Sequence, residues 1–349
     1  MRDLKSNLLE ATATIGEAIA AIEASAVKIA LVVDAEHRLL GTITDGDVRR
    51  GFLKGLGLES PASDVMNASP ITAQDGDSLE TFGALMARTY RRQLPLLDDQ
   101  SRVVGLVDES DFSEPVMREN LVFVLAGGLG TRLRPLTEAH PKPMLAVGGK
   151  PILQRILEGF IGAGFSNFCF SLGYRGEQIR EHFGDGSRWN VSIDYVEETE
   201  PLGTAGPLGL ISRRPNHPVL VINGDVLTEM NFQHLLDFHM ESGADATICA
   251  RAYHFEIPFG VMELDGQGVM AISEKPTIDV LVNAGIYCLG PEVVDRIRAK
   301  NGRSDMPDML REAIDAKQRV SAFPIHEYWI DVGRLNDLER AQLDLDERT

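Results

Sequence analysis

The sequence predicts an α/β protein in which a mostly parallel sheet is preceded by a smaller α+β domain. In the longer, C-terminal part of the 349-residue chain, short apolar strands alternate with segments of helical apolar spacing. In the N-terminal part, two stretches resemble each other at one constant offset, which is typical of an internal repeat. We therefore divide the chain into domains at 1–117 and 118–349.

Composition limits the possible functions. The formal net charge of −18 argues against a nucleic-acid backbone as the main partner, so a phosphate ligand needs a local basic site. Three cysteines lie far apart, at Cys169, Cys249 and Cys288, which disfavours a disulfide framework or a zinc site. We expect no signal peptide, and no apolar run in the sequence reaches the roughly 18 residues that a spanning helix needs. We expect a cytoplasmic protein with no membrane partner.

The repeat defines the first domain. The stretches "VDAEHRLLGTITDGDV" and "LDDQSRVVGLVDESDF" place Gly41 opposite Gly105 and share polar turns between apolar strands. Each repeat is predicted to run helix, strand, turn, strand, helix. The repeats cover about 1–57 and 58–117, and together they predict one compact domain.

These residues resemble a tandem pair of CBS domains, above all "LLGTITDGDVRRGF" at 39–52. The resemblance implies a regulatory site in which Thr44 and Asp47 hold an adenosine nucleotide. The second repeat departs from the pattern, because Asp108 stands where Thr44 stood and a carboxylate repels phosphate. The alternative is that both repeats only form a dimerisation module. In either case we expect a homo-oligomer.

The second domain is predicted to contain a Rossmann-like, mostly parallel sheet. Its candidate strands are apolar segments at 121–127, 167–173, 191–198, 218–225, 245–252 and 281–290. Its candidate helices lie between them at 151–164, 175–184, 231–243 and 291–300. Ligands of such sheets bind at the carboxyl ends of the strands, so residues that follow each strand are the candidates for function.

The most informative loop follows the first of these strands and reads "LAGGLGTRLRPLTEAHPKPM". The backbone N–H groups around Gly127, Gly128 and Gly130 can form a nest for phosphate oxygens. Arg132 and Lys142 add the positive charge that amides alone do not supply. The loop matches neither the dinucleotide pattern G-x-G-x-x-G nor a Walker loop, which ends in G-K-[ST].

Further motifs follow in a fixed order: "EPLGTAGPL" at 200–208, "INGDV" at 222–226, "SEKP" at 273–276, "NAGIY" at 283–287 and "WIDVG" at 329–333. Together with the glycine loop they resemble the sugar-1-phosphate nucleotidyltransferases. The resemblance implies transfer of a nucleoside monophosphate from a nucleoside triphosphate to a sugar 1-phosphate, with release of pyrophosphate. The implied partners are these two substrates.

The resemblance also implies three sets of site residues. The catalytic set is Arg132, Lys142 and Asp225. The nucleotide-binding set is Ala126, Gly127, Gly128, Gly130, Thr131, Gly203 and Thr204. The sugar-phosphate-binding set is Gly224, Glu274, Lys275, Asn283 and Gly285.

Two aspartates predict a metal site. Asp225 follows an apolar strand in "NGD", and Asp331 interrupts another apolar segment in "WIDVG". Each alone is as consistent with a helix cap, but together they suit Mg²⁺, which takes one or two carboxylates beside phosphate oxygens and water. We therefore predict that Asp225 and Asp331 bind Mg²⁺.

The identity of the base stays open at the level of sequence. Transferases with an N-terminal CBS pair resemble those that make guanosine-diphosphate sugars for surface glycans, which favours GTP over UTP or dTTP. The single Asp of "NGDVL" argues against a glycosyltransferase with an Asp-x-Asp motif. A different kind of alternative is a non-catalytic scaffold regulated by the CBS pair. Loss of Arg132, Lys142, Asp225 or Asp331 would favour that scaffold, but all four are present.

Overall fold

A computed structural model describes residue 4 and residues 6–25, 27–89, 91–112, 118–300 and 302–346. The chain forms two compact units: one contains Met1–Met117 with Gln233–Ser242, and the other contains Arg118–Phe232 with Gly243–Thr349. The predicted domain boundary between 117 and 118 adjoins residues 113–117, which lie outside the described residues.

The first unit contains two similar three-stranded sheets with helices between the strands. Its elements are β1 (Leu8–Glu10), α1 (Ile15–Ala24), β2 (Ile29–Val33), β3 (Leu39–Thr44), α2 (Asp45–Leu53), β4 (Ala73–Gln74), α3 (Leu79–Thr89), β5 (Gln93–Leu97) and β6 (Val103–Asp108). The sheet orders are β1-β2-β3 and β4-β5-β6. In each sheet the first pair is parallel and the second is antiparallel. The two halves are therefore similar, but each begins with a strand, β1 or β4, that the predicted order of helix, strand, turn, strand, helix lacks, and the second half has only a short helical turn at Glu109–Asp111 after its last strand.

The repeated aspartate has the same structural role in both halves. Asp47 Oδ2 accepts from the Thr44 backbone N–H at 2.8 Å, and Asp111 Oδ2 accepts from the Asp108 N–H at 2.8 Å. A carboxylate three residues into a helical turn satisfies a backbone donor that the turn leaves unpaired. This recurring bond explains why the aspartate repeats even though Thr44 and Asp108 differ.

The second unit is built around a seven-stranded sheet. The strands of the whole unit, in the main sheet and in three small two-stranded sheets, are β7 (Arg118–Leu125), β8 (Ala146–Val147), β9 (Lys150–Pro151), β10 (Phe165–Leu172), β11 (Ser192–Glu197), β12 (Val219–Asn223), β13 (Val226–Thr228), β14 (Ala246–Glu256), β15 (Gly260–Asp265), β16 (Gly268–Glu274), β17 (Thr277–Leu289), β18 (Val320–Ile325) and β19 (Trp329–Asp331). Its helices are α4 (Leu136–Ala139), α5 (Ile152–Gly162), α6 (Gly176–Phe183), α8 (Pro291–Lys300), α9 (Met306–Asp315) and α10 (Leu335–Asp346). Helix α7 (Phe232–Ser242) belongs to the first unit except for Phe232.

The order of the main sheet is β11-β10-β7-β12-β17-β14-β18. Both pairs that involve β17 are antiparallel, and the other four pairs are parallel. The mostly parallel sheet and the α/β class are therefore confirmed. Strands β7, β10 and β12 are buried apolar runs, as expected for a sheet covered on both faces. Their carboxyl ends lie side by side and form one edge.

A two-part ribbon extends from this sheet. Strands β14 and β17 stay paired from Ala250 with Asn283 to Glu256 with Thr277, and β15 pairs with β16 as an antiparallel hairpin beyond them. The ribbon is unusually apolar for an exposed element. Its exposed large side chains are Tyr253, Phe255, Phe259, Met262, Leu264, Val269, Met270, Ile272, Ile278, Val280 and Leu281.

The helices of the second unit contribute a conventional core. Phe160 of α5 is fully buried and packs edge-on against Phe165 and Phe168. Helix α8 buries Val293, Val294 and Ile297 in the cluster that covers β12 and β17. Among the described residues, none of the helices has the length and apolar character needed to cross a membrane.

Candidate functional site

A cavity of about 630 Å³ lies at the carboxyl edge of the main sheet. Its volume is within the usual range for a site that binds a small molecule. The lining residues follow β7, β10, β11 and β12, where the sequence places the informative loops. They are Leu125, Gly127, Gly128, Leu129, Gly130, Thr131, Arg132, Lys142, Gly173, Tyr174, Glu198, Thr199, Glu200, Pro201, Gly203, Thr204, Asn223, Asp225 and Gly333.

The glycine loop adopts a conformation that requires Gly130. This residue has φ +61°, and a Cβ atom there would stand 2.9 Å from Thr137 Cγ2 and 3.1 Å from Lys142 Cβ. Its carbonyl accepts hydrogen bonds from Thr137 Oγ1 at 2.8 Å and from the Leu133 N–H at 3.0 Å. Gly130 therefore fixes the turn that leads from the loop into the short helical turn Thr131–Leu133.

Gly128 has the opposite environment. A Cβ atom at this position would have nothing within 4 Å of it, although the residue lines the cavity. The backbone here is open to a ligand, not packed against protein. Thr131 and Arg132 follow on the same loop and are exposed at the cavity. This arrangement gives a bound phosphate access to backbone amides, a hydroxyl and a guanidinium group.

Lys142 brings the predicted catalytic and metal residues together. Its ammonium group donates to Asp225 Oδ2 and lies 3.9 Å from Asp331 Oδ1. Strands β13 and β19 hold the two aspartates in place, because Val226 pairs with Asp331 and the Val332 N–H donates to the Asp225 carbonyl. Lys142 is only 8% exposed, so its charge is poorly screened by solvent.

The two carboxylates have the properties of a cation site. Asp225 Oδ1 is buried and lacks a hydrogen-bond partner within the described part of the chain. Burial, together with the charge of Asp225, raises the pKa of Asp331, and this outweighs the opposing charges of Lys142 and Arg132. A second carboxylate close by and an unpaired carboxylate oxygen both favour a bound cation. Hard carboxylate oxygens are the ligands that Mg²⁺ prefers, so the residues present fit that ion.

The loop after β11 is fastened to the start of α9. The Thr204 N–H donates to Asp305 Oδ1 at 3.1 Å, and Thr204 Oγ1 accepts from the Met306 N–H at 2.7 Å. Gly203 lies against the same segment, with φ +78°. The side chain of Thr204 is thus engaged in holding the loop, and the backbone of the loop remains at the cavity.

Several predicted residues lie outside the cavity lining. Ala126 is buried, and its N–H donates to the Ser171 carbonyl within the sheet. Gly224 packs closely against Leu125, and its N–H donates to the Leu125 carbonyl at 2.8 Å. Both residues shape the floor of the site through the backbone.

The predicted sugar-phosphate residues are dispersed. Glu274 and Lys275 lie at the end of β16 on the exposed ribbon, and Lys275 has φ +46°. Asn283 forms a local turn, in which Nδ2 donates to Tyr287 Oη at 2.8 Å and Oδ1 accepts from the Gly285 N–H at 3.0 Å. Gly285 lies against Asn223 of the cavity lining, because a Cβ atom there would stand 2.6 Å from Asn223 Nδ2. By contrast, Glu274, Lys275 and Asn283 are not among the lining residues.

Comparison with known proteins identifies the families that the chain resembles. A sequence model described as nucleotidyl transferase matches residues 121–348, and the CBS domain model matches 8–54 and 62–124. The chain belongs to the nucleotidyl transferase family. The family resemblance seen in the sequence motifs is confirmed.

Two curated relatives of this transferase have related names. A mannose-1-phosphate guanylyltransferase catalytic subunit beta from Drosophila melanogaster is 35% identical over 224 residues, which cover 61% of this chain and 59% of the relative. A mannose-1-phosphate guanyltransferase from Saccharomyces cerevisiae is 36% identical over 223 residues, which cover 61% of each chain. The chain thus spans about three fifths of the length of these relatives.

Solved structures show the same fold. A putative glucose-1-phosphate thymidylyltransferase from Bacillus anthracis has a TM-score of 0.53 at 22% identity, and the match covers 64% of this chain and 94% of that one. HddC from Yersinia pseudotuberculosis, complexed with GMP-PN, has a TM-score of 0.50 at 26% identity, with 65% and 99% covered. The transferase fold is therefore shared with both proteins.

Among the cavity residues that the sequence did not predict, Glu198 and Asn223 have the most informative surroundings. Glu198 Oε2 accepts from the Leu202 N–H at 3.2 Å, while Oε1 accepts from Ser171 Oγ, so this carboxylate holds the loop after β11. Asn223 ends β12 with its Oδ1 buried and without a hydrogen-bond partner in the described residues. The position of Asn223 at a strand end was a usable signal, whereas Glu198 lies in the acidic run "VEETE" without a distinguishing pattern.

The predicted regulatory pair lies in the first unit. Thr44 Oγ1 donates to Asp47 Oδ2 at 2.8 Å, and Asp47 is 8% exposed. Asp47 Oδ1 also accepts from Arg50. The two residues are close together, and their side chains are engaged with each other at the start of α2.

Proposed function

We propose that this chain transfers guanosine monophosphate from GTP to a sugar 1-phosphate, giving a GDP-sugar and pyrophosphate. The observation that carries the proposal is the cavity that joins the glycine loop, Arg132, Lys142 and Asp225 at the carboxyl edge of the sheet. Such an edge is where open α/β sheets bind ligands. The product class suits the synthesis of surface-glycan precursors.

The proposed reaction needs charge neutralisation more than acid–base chemistry. An oxygen of the sugar phosphate forms a bond to the α-phosphorus, and the bond from that phosphorus to the oxygen bridging to the β-phosphate breaks. The electron pair leaves with pyrophosphate, so no proton has to move. Backbone N–H groups of the glycine loop bind the β- and γ-phosphates, Arg132 stabilises the leaving pyrophosphate, and Lys142 contacts the α-phosphate or the sugar phosphate.

We propose that Asp225 and Asp331 hold Mg²⁺. Two carboxylates are sufficient for this ion when phosphate oxygens and water complete its shell, and the described residues offer no cluster of three or more potential metal ligands. When bound, Mg²⁺ supplies positive charge at the phosphates and lowers the repulsion between the two anionic substrates. Asp225 and Asp331 would supply the carboxylate oxygens that hold the ion, and Lys142, whose ammonium group donates to Asp225, would neutralise part of their charge.

The choice of GTP is supported by the guanylyltransferase names of the relatives. Pyrophosphate release should be measured with each of four nucleoside triphosphates against mannose 1-phosphate and other hexose 1-phosphates. Highest activity with GTP is expected. Preference for UTP or dTTP would contradict the proposed base but leave the proposed reaction in place. Absence of release with every pair would favour the scaffold alternative.

For the sugar side we propose that Glu274 accepts hydrogen bonds from sugar hydroxyls and that Lys275 pairs with the sugar phosphate. Gly224, Asn283 and Gly285 would shape the adjoining wall through the backbone and the Asn283 turn. Because Glu274 and Lys275 lie on the ribbon, this role requires the ribbon and the cavity to approach each other when sugar phosphate binds.

Lys275→Ala should raise the KM for the sugar phosphate about tenfold and leave the KM for the nucleotide unchanged, because Lys275 is assigned to one substrate only. Steady-state kinetics with each substrate varied in turn provides the measurement. Lys300→Ala is the matched control, since Lys300 is also exposed and pairs with Glu312. A change confined to the nucleotide KM would assign Lys275 to the other substrate.

We further propose an adenosine nucleotide as the ligand of the CBS pair, held near Thr44 and Asp47, and a cytoplasmic location. The three cysteines are free and buried, which is compatible with a reducing compartment. The regulatory ligand is independent of the transfer reaction, so its binding can be measured separately.

We propose that the protein is a homo-oligomer, and that a second copy of the chain covers the ribbon. Met262 pairs across the hairpin with Ile272, and Leu264 pairs with Val269. The ribbon exposes eleven large apolar side chains, and contiguous exposed apolar surface of this kind is typical of a protein–protein interface. The CBS pair is the other candidate surface for assembly.

The double variant Met262→Lys/Ile272→Lys should lower the mass measured by light scattering, because two buried cations would be unpaired at the interface. Leu343→Lys, which changes an equally exposed side chain on α10, should leave the mass unchanged. An unaltered oligomer in the double variant would assign assembly to the CBS pair, and a monomeric wild type would refute self-association.

A further inference from the structure

One carboxylate in the first unit is bound by two arginines. Arg50 Nη2 donates to Glu241 Oε2 at 3.0 Å, and Arg91 Nη1 donates to Glu241 Oε1. Two guanidinium groups that converge on one anion, each on a different oxygen, form a typical arrangement for binding phosphate. Arg50 also has a buried Nη1 atom without a hydrogen-bond partner among the described residues. The pair of arginines therefore has more donor capacity than Glu241 uses.

Glu241 belongs to Gln233–Ser242, which we call the Glu241 segment. The segment lies within the part of the sequence that matches the nucleotidyl transferase family, yet it forms part of the first unit. Three further contacts hold it there. Asp45 Oδ2 lies 3.4 Å from His234 Nδ1, Gln233 Nε2 donates to Glu109 Oε2 at 3.1 Å, and the Arg50 guanidinium lies 5.4 Å from the centre of the Phe238 ring.

The electrostatics of these contacts are strong. Burial alone would raise the pKa of Asp45, but the hydrogen bond from His234 and the charge of Arg49 outweigh it and hold the pKa at about 2. Asp45 thus remains a carboxylate under ordinary conditions. The Glu241 segment is held at both ends, by the hydrogen bond between His234 and Asp45 at one end and by the ion pairs of Glu241 at the other.

A small cavity lies beside these contacts, and its lining has two origins. From 1–117 come Lys28, Arg91 and Arg92 with one carboxylate, Asp45, and with Thr44 and Gly46 at the start of α2. From the Glu241 segment come His234, Asp237, Phe238 and Glu241. The cavity-lining residues that come from 1–117 therefore carry more positive than negative charge, in a chain whose net charge is −18. Such a local excess, next to a helix N-terminus, is suited to an anionic ligand.

The cavity is too small for such a ligand while the Glu241 segment is in place. Its volume is about 70 Å³, which is room for about two water molecules. A small-molecule site usually measures about 300 Å³ or more. A nucleotide and the bound Glu241 segment therefore exclude each other at this position.

We propose that Glu241 is a built-in substitute for phosphate, and that a phosphate-bearing ligand of the first unit competes with it for Arg50 and Arg91. Binding of the ligand releases the Glu241 carboxylate from the two arginines and displaces the segment from the cavity. The proposal rests on the proposed regulatory nucleotide of the CBS pair and is independent of the transfer reaction. Only molecules in which Glu241 has left the arginines can bind the ligand. The observed affinity is therefore the intrinsic affinity multiplied by the fraction of such molecules.

Calorimetry on the full chain with AMP, ATP and inorganic phosphate provides the test. Glu241→Gln keeps the size of the side chain and removes the competing charge, so at least one nucleotide should bind about tenfold more tightly than to the wild type. Glu158→Gln is the matched control, because it removes one negative charge from an ion pair with Lys150 elsewhere on the chain. It should leave the affinity unchanged. Arg91→Met should weaken binding at least tenfold in both the wild-type and the Glu241→Gln backgrounds.

The probes separate the sources of the phosphate. Tighter binding of AMP or ATP to Glu241→Gln identifies a nucleotide ligand, and a gain for inorganic phosphate alone reduces the site to a simple anion site. Nucleotide binding that is equal in Glu241→Gln and the wild type would overturn the competition but leave the nucleotide site in place. Absence of binding in every variant would refute both. All of these outcomes concern binding and not pyrophosphate release, so failure of the transferase proposal is measured independently.

Discussion

Asp225→Asn and Asp331→Asn should each lower kcat by about a hundredfold or more. Asparagine keeps the volume of aspartate and removes its charge, so each variant tests electrostatics and not packing. The expected loss corresponds to ~3 kcal/mol, the scale of one main stabiliser of transition-state charge. Activity of the wild type should disappear with EDTA and return with Mg²⁺.

Thermal melting separates this effect from loss of the fold. The ionised form of Asp331 is disfavoured in the folded protein, because burial and Asp225 raise its pKa. The Asp331→Asn variant, in which this side chain is neutral, should therefore melt at the same temperature as the wild type or higher. Asp295→Asn is the matched control, since Asp295 forms an exposed ion pair with Arg214 at 2.6 Å. It should change neither kcat nor melting.

The two variants also test the number of carboxylates at the metal. If Asp331→Asn retains full activity at limiting Mg²⁺, then Asp225 acts alone or with water, and the two-carboxylate site is wrong. If Asp225→Asn retains full activity, the unpaired Oδ1 atom of Asp225 does not mark the metal site, and the metal must bind elsewhere. A loss in both variants, with the control unaffected, is the result expected from the geometry around Lys142.

The sequence was informative wherever a local pattern determines a local structure. The offset between the repeats predicted both β-hairpins of the first unit, because each polar turn between apolar strands can close on its own neighbours. The position of the glycine loop was equally predictable from the sequence. A residue such as Gly130 is required by its own φ value and by close neighbours, and strand order then carries the loop to the ligand-binding edge.

Long-range placement was less accessible from sequence. The spacing in α7 predicts a helix with a buried face, but the same spacing does not state which residues cover that face. Consequently the grouping of Gln233–Ser242 with the first unit was not foreseen. The motif "SEKP" likewise identifies Glu274 and Lys275 as candidates, whereas the course of the exposed ribbon depends on antiparallel pairing that the motif does not encode.

Lys142→Met should lower kcat about a thousandfold. Methionine keeps an unbranched chain of similar length and removes the ammonium group, whose side chain is only 10% exposed to solvent. The expected loss corresponds to ~4 kcal/mol, at the upper end for one preorganised electrostatic contact. Lys150→Met is the matched control, because Lys150 is exposed and pairs with Glu158; it should be fully active.

The dependence on Mg²⁺ decides what Lys142 does. If Lys142 only neutralises Asp225 and Asp331, then additional Mg²⁺ can replace that charge, and Lys142→Met should recover activity as the ion is raised. If Lys142 acts on the substrate phosphates, the variant should bind Mg²⁺ at least as tightly, since a competitor for the carboxylates is gone, and should stay slow at saturation. We expect the second result, because the ammonium group faces the cavity that holds the glycine loop and Arg132. Full activity of Lys142→Met at saturating Mg²⁺ would restrict Lys142 to the metal site and leave Arg132 as the cavity cation that acts on phosphate.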